Sequence, residues 1–476
     1  MIEIITKINS AVNNFVWGPV MLLLLVGTGV YLTARTGCIQ AAKFGYIMRN
    51  TVGSLFRRRE KRDKDAKNLT PFQAVTTALA GTVGTGNIAG VTGAIFAGGP
   101  GAVFWMWFAA FFGMFTKFAE IVLALKYRQV DENGVHYGGP MYYIEKGLGM
   151  KWLAVLFSLV AGFACFGIGN ISQSSEIAGA MEGLFGMSGL TTGVLLAVVV
   201  GIVVLGGVQR IGRVTSYMVP FMAIFYIGAG LAVILLRIDQ VPAALASIFT
   251  SAFSFEAVGG GVFGYAIMVA MRQGFARGVF SNEAGLGSAP IIAAAAKTKN
   301  PAEQALIAMT GTFWSTVVIC ALTGIVLVST MIAHPEIQAE VLADPTFYTG
   351  AQLASTAFAT IPYVGTPILV IGMVSFSYST ILGWSYYGNR CAAYLFGKRA
   401  ILPYHIVYVL VAFLGAIGVG NVVWTISDIG NALMAIPNII AILLLSGLIC
   451  RETKHYVYEG NIEEEDTREI PMISSK

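Results

Sequence analysis

The residues from Gly81 to Asn87 read GTVGTGN, three glycines and two threonines inside an otherwise apolar segment. Glycine weakens a helix, and a break frees backbone groups that lipid cannot satisfy. Irregular backbone at bilayer depth survives where it lines a cavity or is buried in protein, and broken helices are the recurring binding device of ion-coupled transporters. A second half-helix starting near Gly86 presents unpaired N–H groups and a positive dipole end, which suit a carboxylate. A first half-helix ending near Thr82 and Val83 presents free carbonyls, which suit Na+ or an ammonium group. Thr85, Gly86 and Asn87 are therefore candidate contacts for a small zwitterion.

Gly84-x-Gly86-x-x-Ala89 also satisfies a dinucleotide fingerprint. That motif needs a preceding strand and an acidic residue about twenty positions on, whereas GAVFWMWF follows here. Close helix packing explains Gly81 or Gly90 singly, but not the whole cluster. A second cluster, VGGGVFGYA from Val258 to Ala266, opens an apolar segment five helices later and makes Gly260 and Gly261 candidates for the other side of the site. Matching breaks in two halves point to an inverted-repeat transporter.

The stretch SFSYSTILGW supplies Ser375, Ser377, Ser379 and Thr380, with Trp384 one turn further on. A single hydroxyl in a membrane helix often bonds its own i−4 carbonyl. A cluster of hydroxyls offers oxygen ligands to a hard cation without any formal charge. Lys117 and Glu120, spaced i,i+3, read as a locally neutral structural pair rather than a proton relay. Glu283, in SNEAGLGSAP after Arg272 and Arg277, reads as cytoplasmic, part of an inner gate.

Positioning these residues falls to membrane helices. The 476 residues are 56% hydrophobic and 12% charged, against about 25% charged in soluble domains. Apolar segments near 15–35, 72–97, 101–127, 152–173, 191–208, 214–236, 257–278, 303–332, 365–395, 402–420 and 422–450 give an all-α polytopic membrane protein of about eleven helices. The first run lacks a basic leader and cleavage site, so it reads as a retained helix. Basic residues gather on one side: the run from Arg57 to Lys67, then Lys126, Arg128, Arg210, Arg213, Lys297, Lys299, Arg390, Lys398, Arg399 and Arg451. The positive-inside rule then puts the N-terminus outside and the C-terminus in the cytoplasm. Residues 1–450 form one transporter domain, with repeats over about 70–237 and 255–450 and one extra helix before them. The interrupted stretch 333–363 reads as a hairpin capping an outer vestibule, and residues 451–476, with EEED from Glu463 to Asp466, as a solvated cytoplasmic tail. Five scattered cysteines and four dispersed histidines offer no disulfide framework, zinc site or metallohydrolase motif. No organic cofactor and no nucleic-acid partner are expected, and the net charge of +5 is read as topology.

Four stretches, TVGTGNIAG, GGPGAVFWMWFAAFFG, YGGPMYYIEKGLG and RGVFSNEAGLGSAP, resemble the alanine or glycine:cation symporter family. The resemblance runs from about residue 15 to 450; Phe108 stands where a smaller aliphatic residue is expected. It implies a LeuT-like core of two inverted five-helix repeats, helices two to six and seven to eleven. VGTGN is similar to the VGLGN unwound segment of neurotransmitter-type sodium symporters, which places Val83, Gly84, Thr85, Gly86 and Asn87 among substrate and ion contacts. By the same resemblance Ser379 and Thr380 complete a Na+ site with Ala80, Val83 and Phe376. Thr380 and Trp384 face substrate, and Asn170 and Gln173 on the fourth helix are assigned by position alone.

The resulting expectation is Na+-coupled import of a small neutral amino acid, alanine or glycine first, by alternating access. The host is the plasma membrane of a bacterium or archaeon, and the protein is a monomer or weak oligomer in contact with lipid. An H+-coupled or glutamine-preferring symporter of the same fold is the alternative within the class. An uncoupled channel or amino-acid sensor is the alternative outside it, while an intramembrane enzyme lacks a nucleophile–base or metal constellation.

Overall fold

A computed structural model describes residues 15–49, 68–253, 265–337, 352–360, 365–418 and 420–472, together with residues 12 and 363. Nineteen helices carry the argument: α1 (Pro19–Arg35), α2 (Pro71–Thr82), α3 (Ala89–Gly98), α4 (Gly101–Lys126), α5 (Pro140–Leu148), α6 (Lys151–Phe166), α7 (Ser172–Phe185), α8 (Gly189–Val204), α9 (Gly207–Leu236), α10 (Val241–Ala252), α11 (Tyr265–Asn282), α12 (Ala289–Ala293), α13 (Pro301–Ala308), α14 (Ala321–Ala333), α15 (Gln352–Ala359), α16 (Gly365–Phe396), α17 (Ile401–Ala416), α18 (Gly420–Leu444) and α19 (Ser446–Thr453). A two-stranded antiparallel hairpin, β1 (Gln129–Val130) and β2 (His136–Tyr137), follows α4. Among the described residues six helices are long and apolar enough to cross a membrane, and a pair bent by 62° between Leu444 and Ser446 makes a seventh if counted as one span.

Every apolar segment expected from the sequence falls on helix, the seventh only from Tyr265 onward. Hydropathy and burial explain the arrangement together. In α8 the residues Leu190, Val194, Val198 and Ile202, four apart, are exposed and apolar, as a lipid-facing stripe requires. By contrast α4 is buried along most of its length, packed between α1, α11 and α13. Helix α16 touches α2, α6, α7 and α9, and so spans the centre of the bundle. At Gly383 it comes so close to α2 that an added Cβ would lie 2.8 Å from the Gly81 nitrogen.

Three features depart from expectation. The fourth span does not stop near residue 173: a π-helical turn, Gly167–Ile171, carries it on through α7 to Phe185. Its polar residues look like a helix end to a hydropathy argument. They face protein instead, where Asn170, Ser172, Gln173 and Ser174 are all buried and bonded. Helix α10 was not expected because twelve residues are too short to span a bilayer. It buries Ala244, Ile248 and Ala252 on one face and packs on α4 and α14.

The tail beyond Arg451 is the third departure. Its residues through Met472 are strapped to the rest of the chain, although the EEED carboxylates are largely outward. The Val130 N–H donates to the Pro471 carbonyl, and the Asn300 amide donates to the carbonyls of Ile462 (2.7 Å) and Glu464 (2.9 Å). Lys126–Glu452 and Lys299–Glu463 add ion pairs. The same end of the bundle gathers Lys398 against Asp131 (3.4 Å) and Arg128 against the Ala296 carbonyl (3.2 Å). Lys126, Arg128, Lys299 and Lys398, which alternation assigns to one side, are thus brought together. Of the outer hairpin expected over 333–363, residues 333–337, 352–360 (which hold α15) and 363 are described; the rest, like the basic run Arg57–Lys67, lies outside the described residues.

Candidate substrate and cation site

Helix α2 begins with Pro71 at its first turn and a reciprocal cap between Thr70 and Gln73, which fixes the start. Its end comes at Thr82: Val83 leaves helical geometry and Gly84 is extended. A single 3-10 turn, Thr85–Asn87, precedes α3. The expected break is therefore present.

Asn87 holds the break open. Its Oδ1 accepts from the Gly84 N–H at 3.0 Å. Its amide nitrogen donates to Ser281 Oγ (3.0 Å) and the Ser315 carbonyl (2.8 Å), with Cys320 Sγ at 3.3 Å. Gln173, just past the π turn, does the same from the other side: its Oε1 accepts from the Thr85 N–H at 3.4 Å and its Nε2 donates to Thr85 Oγ1 at 3.1 Å. The freed backbone is satisfied by side chains, as burial demands.

Facing the break, α16 contributes a cluster of oxygens. Ser379 Oγ lies 3.3 Å from the Ala80 carbonyl, 3.4 Å from that of Val83 and 2.8 Å from that of Phe376. Thr380 Oγ1 lies 3.1, 3.4 and 3.0 Å from the same three. The contacts to Phe376 are ordinary i−3 and i−4 back-bonding. The rest are not: two hydroxyl hydrogens cannot serve six oxygen–oxygen contacts. The surplus of lone pairs fits a hard cation at their centre. All five oxygens belong to the residues named from the sequence, and all five residues are buried.

Beside this cluster is a pocket of about 280 Å3 of empty space, part of it open, lined by Gly81, Thr82, Gly84, Gly86, Ile168, Gln173, Phe280, Glu283, Thr380, Trp384 and Asn431. Trp384 closes one wall, packed so tightly that a Cβ at Gly169 would lie 2.4 Å from its side chain. Its indole N–H is directed at both the Gly81 carbonyl (3.3 Å) and Glu283 Oε1 (2.9 Å).

Of the expected substrate contacts, Gly86, Gln173, Thr380 and Trp384 line this pocket, while Thr85 and Asn87 stand behind it as braces. Gly260 and Gly261 lie outside the described residues. Asn170 turns away to the Tyr408 carbonyl at 2.7 Å.

Glu283 was misplaced as cytoplasmic. It is buried in the pocket wall, its backbone in the left-handed region (φ 56°), with Oε2 accepting from Ser288 Oγ. The arginines at 272 and 277 gave a false signal, because α11 ends at Asn282 and turns its next residue inward. Lys117 and Glu120 are both buried but make no direct hydrogen bond to each other: Lys117 Nζ has no such partner, and Glu120 Oε2 accepts from Asn438 at 2.9 Å. Sequence reasoning missed Asn431 altogether; it is one of three asparagines in the mostly apolar α18, and that was the available signal.

Comparison with known proteins places the chain in a family. Residues 2–470 match the model of the sodium:alanine symporter family. The chain is 49% identical over 459 residues to the sodium/alanine symporter AgcS of Methanococcus maripaludis, covering 95% of this chain and 97% of that one. It is 36% identical over 461 residues to a probable sodium/glutamine symporter, GlnT, of Bacillus subtilis, covering 96% and 91%. Among solved structures, that of MhsT with L-phenylalanine aligns with a TM-score of 0.60 at 14% identity, over 80% of this chain and 89% of that one. That likeness concerns the fold alone, which is the LeuT-like one.

Proposed function

This chain belongs to the sodium:alanine symporter family, and from that premise we propose that it imports alanine or glycine with Na+ by alternating access. It is a transporter and not an enzyme. The observation that carries the reading is the oxygen cluster of Ala80, Val83, Phe376, Ser379 and Thr380, set against a small pocket that shares Thr380 with it. A cation there joins α2 to α16 and fixes the end of the first half-helix. In the same act it shapes the pocket wall, so ion and substrate favour one arrangement and each raises the affinity for the other. The Gly86 end of the pocket receives the carboxylate, and Trp384 limits the side chain to a methyl or a hydrogen. The N-terminus lies outside, and the face that carries the β-hairpin and the tail strap lies in the cytoplasm.

The test is uptake of labelled alanine into proteoliposomes under an imposed Na+ gradient. Accumulation above equilibrium that collapses without Na+ is expected. Accumulation that persists without Na+ and follows a pH gradient overturns the ion assignment, and flux that never exceeds equilibrium favours a channel or sensor. Thr380→Ala removes one of the five oxygens and should raise the half-saturating Na+ concentration about tenfold. Unchanged Na+ dependence in that variant removes Thr380 from the ion site.

A further inference from the structure

The pocket has a carboxylate of its own. Glu283 is 2% exposed, and two donors, the Trp384 indole N–H and the Ser288 hydroxyl, are aimed at its two oxygens. Donors on both oxygens are what an ionised carboxylate needs when it is removed from water. Its left-handed backbone, uncommon for any residue but glycine, is what turns this side chain inward at the end of α11.

Lys117, Glu120 and Glu283 are all buried, and of the three only Glu283 lines the pocket. A carboxylate removed from water favours a cation or a further donor beside it. Asn431, 1% exposed, also lines the pocket, and its Oδ1 has no hydrogen-bond partner among the described residues. An acceptor held dry and unmet is waiting for a donor.

We infer that Glu283 and Asn431 form the cation-recognising pole of the pocket and hold the α-ammonium of the substrate, opposite the Gly86 end that holds its carboxylate. This rests on the amino-acid reading above and deepens it. The pole supplies a charge-assisted bond from Glu283 and a neutral one from Asn431, and it discriminates against carboxylic acids that lack an amine. Glu283 thereby also ties recognition to Trp384, whose indole N–H it shares with the Gly81 carbonyl of α2.

The experiment is equilibrium binding of labelled alanine to the purified full-length protein, with labelled Na+ binding measured separately in the absence of amino acid. Glu283→Gln keeps an acceptor for the Trp384 indole but removes the charge, and should weaken alanine about 30-fold or more while Na+ binding persists. Asn431→Leu should weaken it about tenfold. In the double variant Glu283→Gln with Asn431→Asp, the carboxylate moves across the pocket and part of the alanine affinity should return. Isobutyrate, which has a methyl where alanine has its ammonium, should compete no worse against Glu283→Gln than against the unmodified protein. A merely structural role for Glu283 would weaken both ligands together. Unchanged alanine affinity in Glu283→Gln, or equal losses for alanine and isobutyrate, overturns the inference. If that variant does not fold, unchanged affinity in Asn431→Leu overturns it. Absence of alanine binding by the unmodified protein overturns the functional reading itself.

Discussion

Gly383 lies where α16 crosses α2, and replacing it with alanine tests whether that crossing sets the cation shell. The added Cβ would sit 2.8 Å from the Gly81 nitrogen and 2.9 Å from its Cα. That is about 0.5–1 Å inside van der Waals contact. Both obstacles are backbone, so no side chain can swing aside and the helices must part. Ser379 and Thr380 precede Gly383 by about one turn, and their contacts to the Val83 carbonyl already stand at 3.4 Å. Overpacking of this kind costs about 1–3 kcal/mol, against which alanine returns only about 0.5–1 kcal/mol of helix propensity. The remaining ~0.5–2 kcal/mol, at about tenfold per 1.4 kcal/mol, should raise the half-saturating Na+ concentration about 2- to 30-fold. The assay is Na+-dependent alanine uptake in proteoliposomes. Gly93→Ala serves as the control, since nothing lies within 4 Å of a Cβ there. Native Na+ dependence in well-folded Gly383→Ala would refute the argument that close α2–α16 approach builds the site.

Two further outcomes follow from the geometry. Gly86→Leu places its Cβ 2.7 Å from the Phe280 ring and fills the carboxylate end of the pocket, so alanine binding should disappear while the protein remains folded; retained affinity would mean that Gly86 serves packing alone. In the β-hairpin, burial and then the Arg128 charge push His136 from its ordinary 6.5 down to about 4. The unfolded chain takes up that proton first, so the stability this group contributes is complete above about pH 6.5 and is lost as pH falls toward about 4. His136→Asn should lose less thermal stability than the native protein across that window, and equal losses would show that the imidazole is not the titrating group.

The sequence was most legible where chemistry contradicts its surroundings. GTVGTGN cannot continue an apolar helix without leaving groups unpaired, and the break falls there. The hydroxyls of Ser379 and Thr380 were visible for a similar reason, and the break itself pointed to the Val83 carbonyl, but Ala80 and Phe376 came only through resemblance, because a main-chain ligand leaves no mark on residue type. Glu283 was misread because linear charge context cannot show which way a helix end turns. Asn170 sits inside the π turn and Gln173 just past it, yet only Gln173 reaches the pocket; the turn shifts the facing, and nothing in GIGNI announces it. The tail misled for another reason: its strap is made by carbonyls and by Asn300, while its composition advertises only solvated carboxylates.

The bracing of the unwound turn by Asn87 has a thermodynamic consequence. With Gly84, Ser281 and Ser315 all engaged by one side chain, the turn is a standing part of the fold. A ligand that meets a ready-made cradle does not have to melt a helix first, and its apparent affinity is not diluted by a rarely populated competent form. All the free energy by which it prefers one global state over another is then available to drive that transition. Loosening Asn87 would therefore show itself as a weaker grip on cargo, because part of each binding event would be spent re-forming the turn.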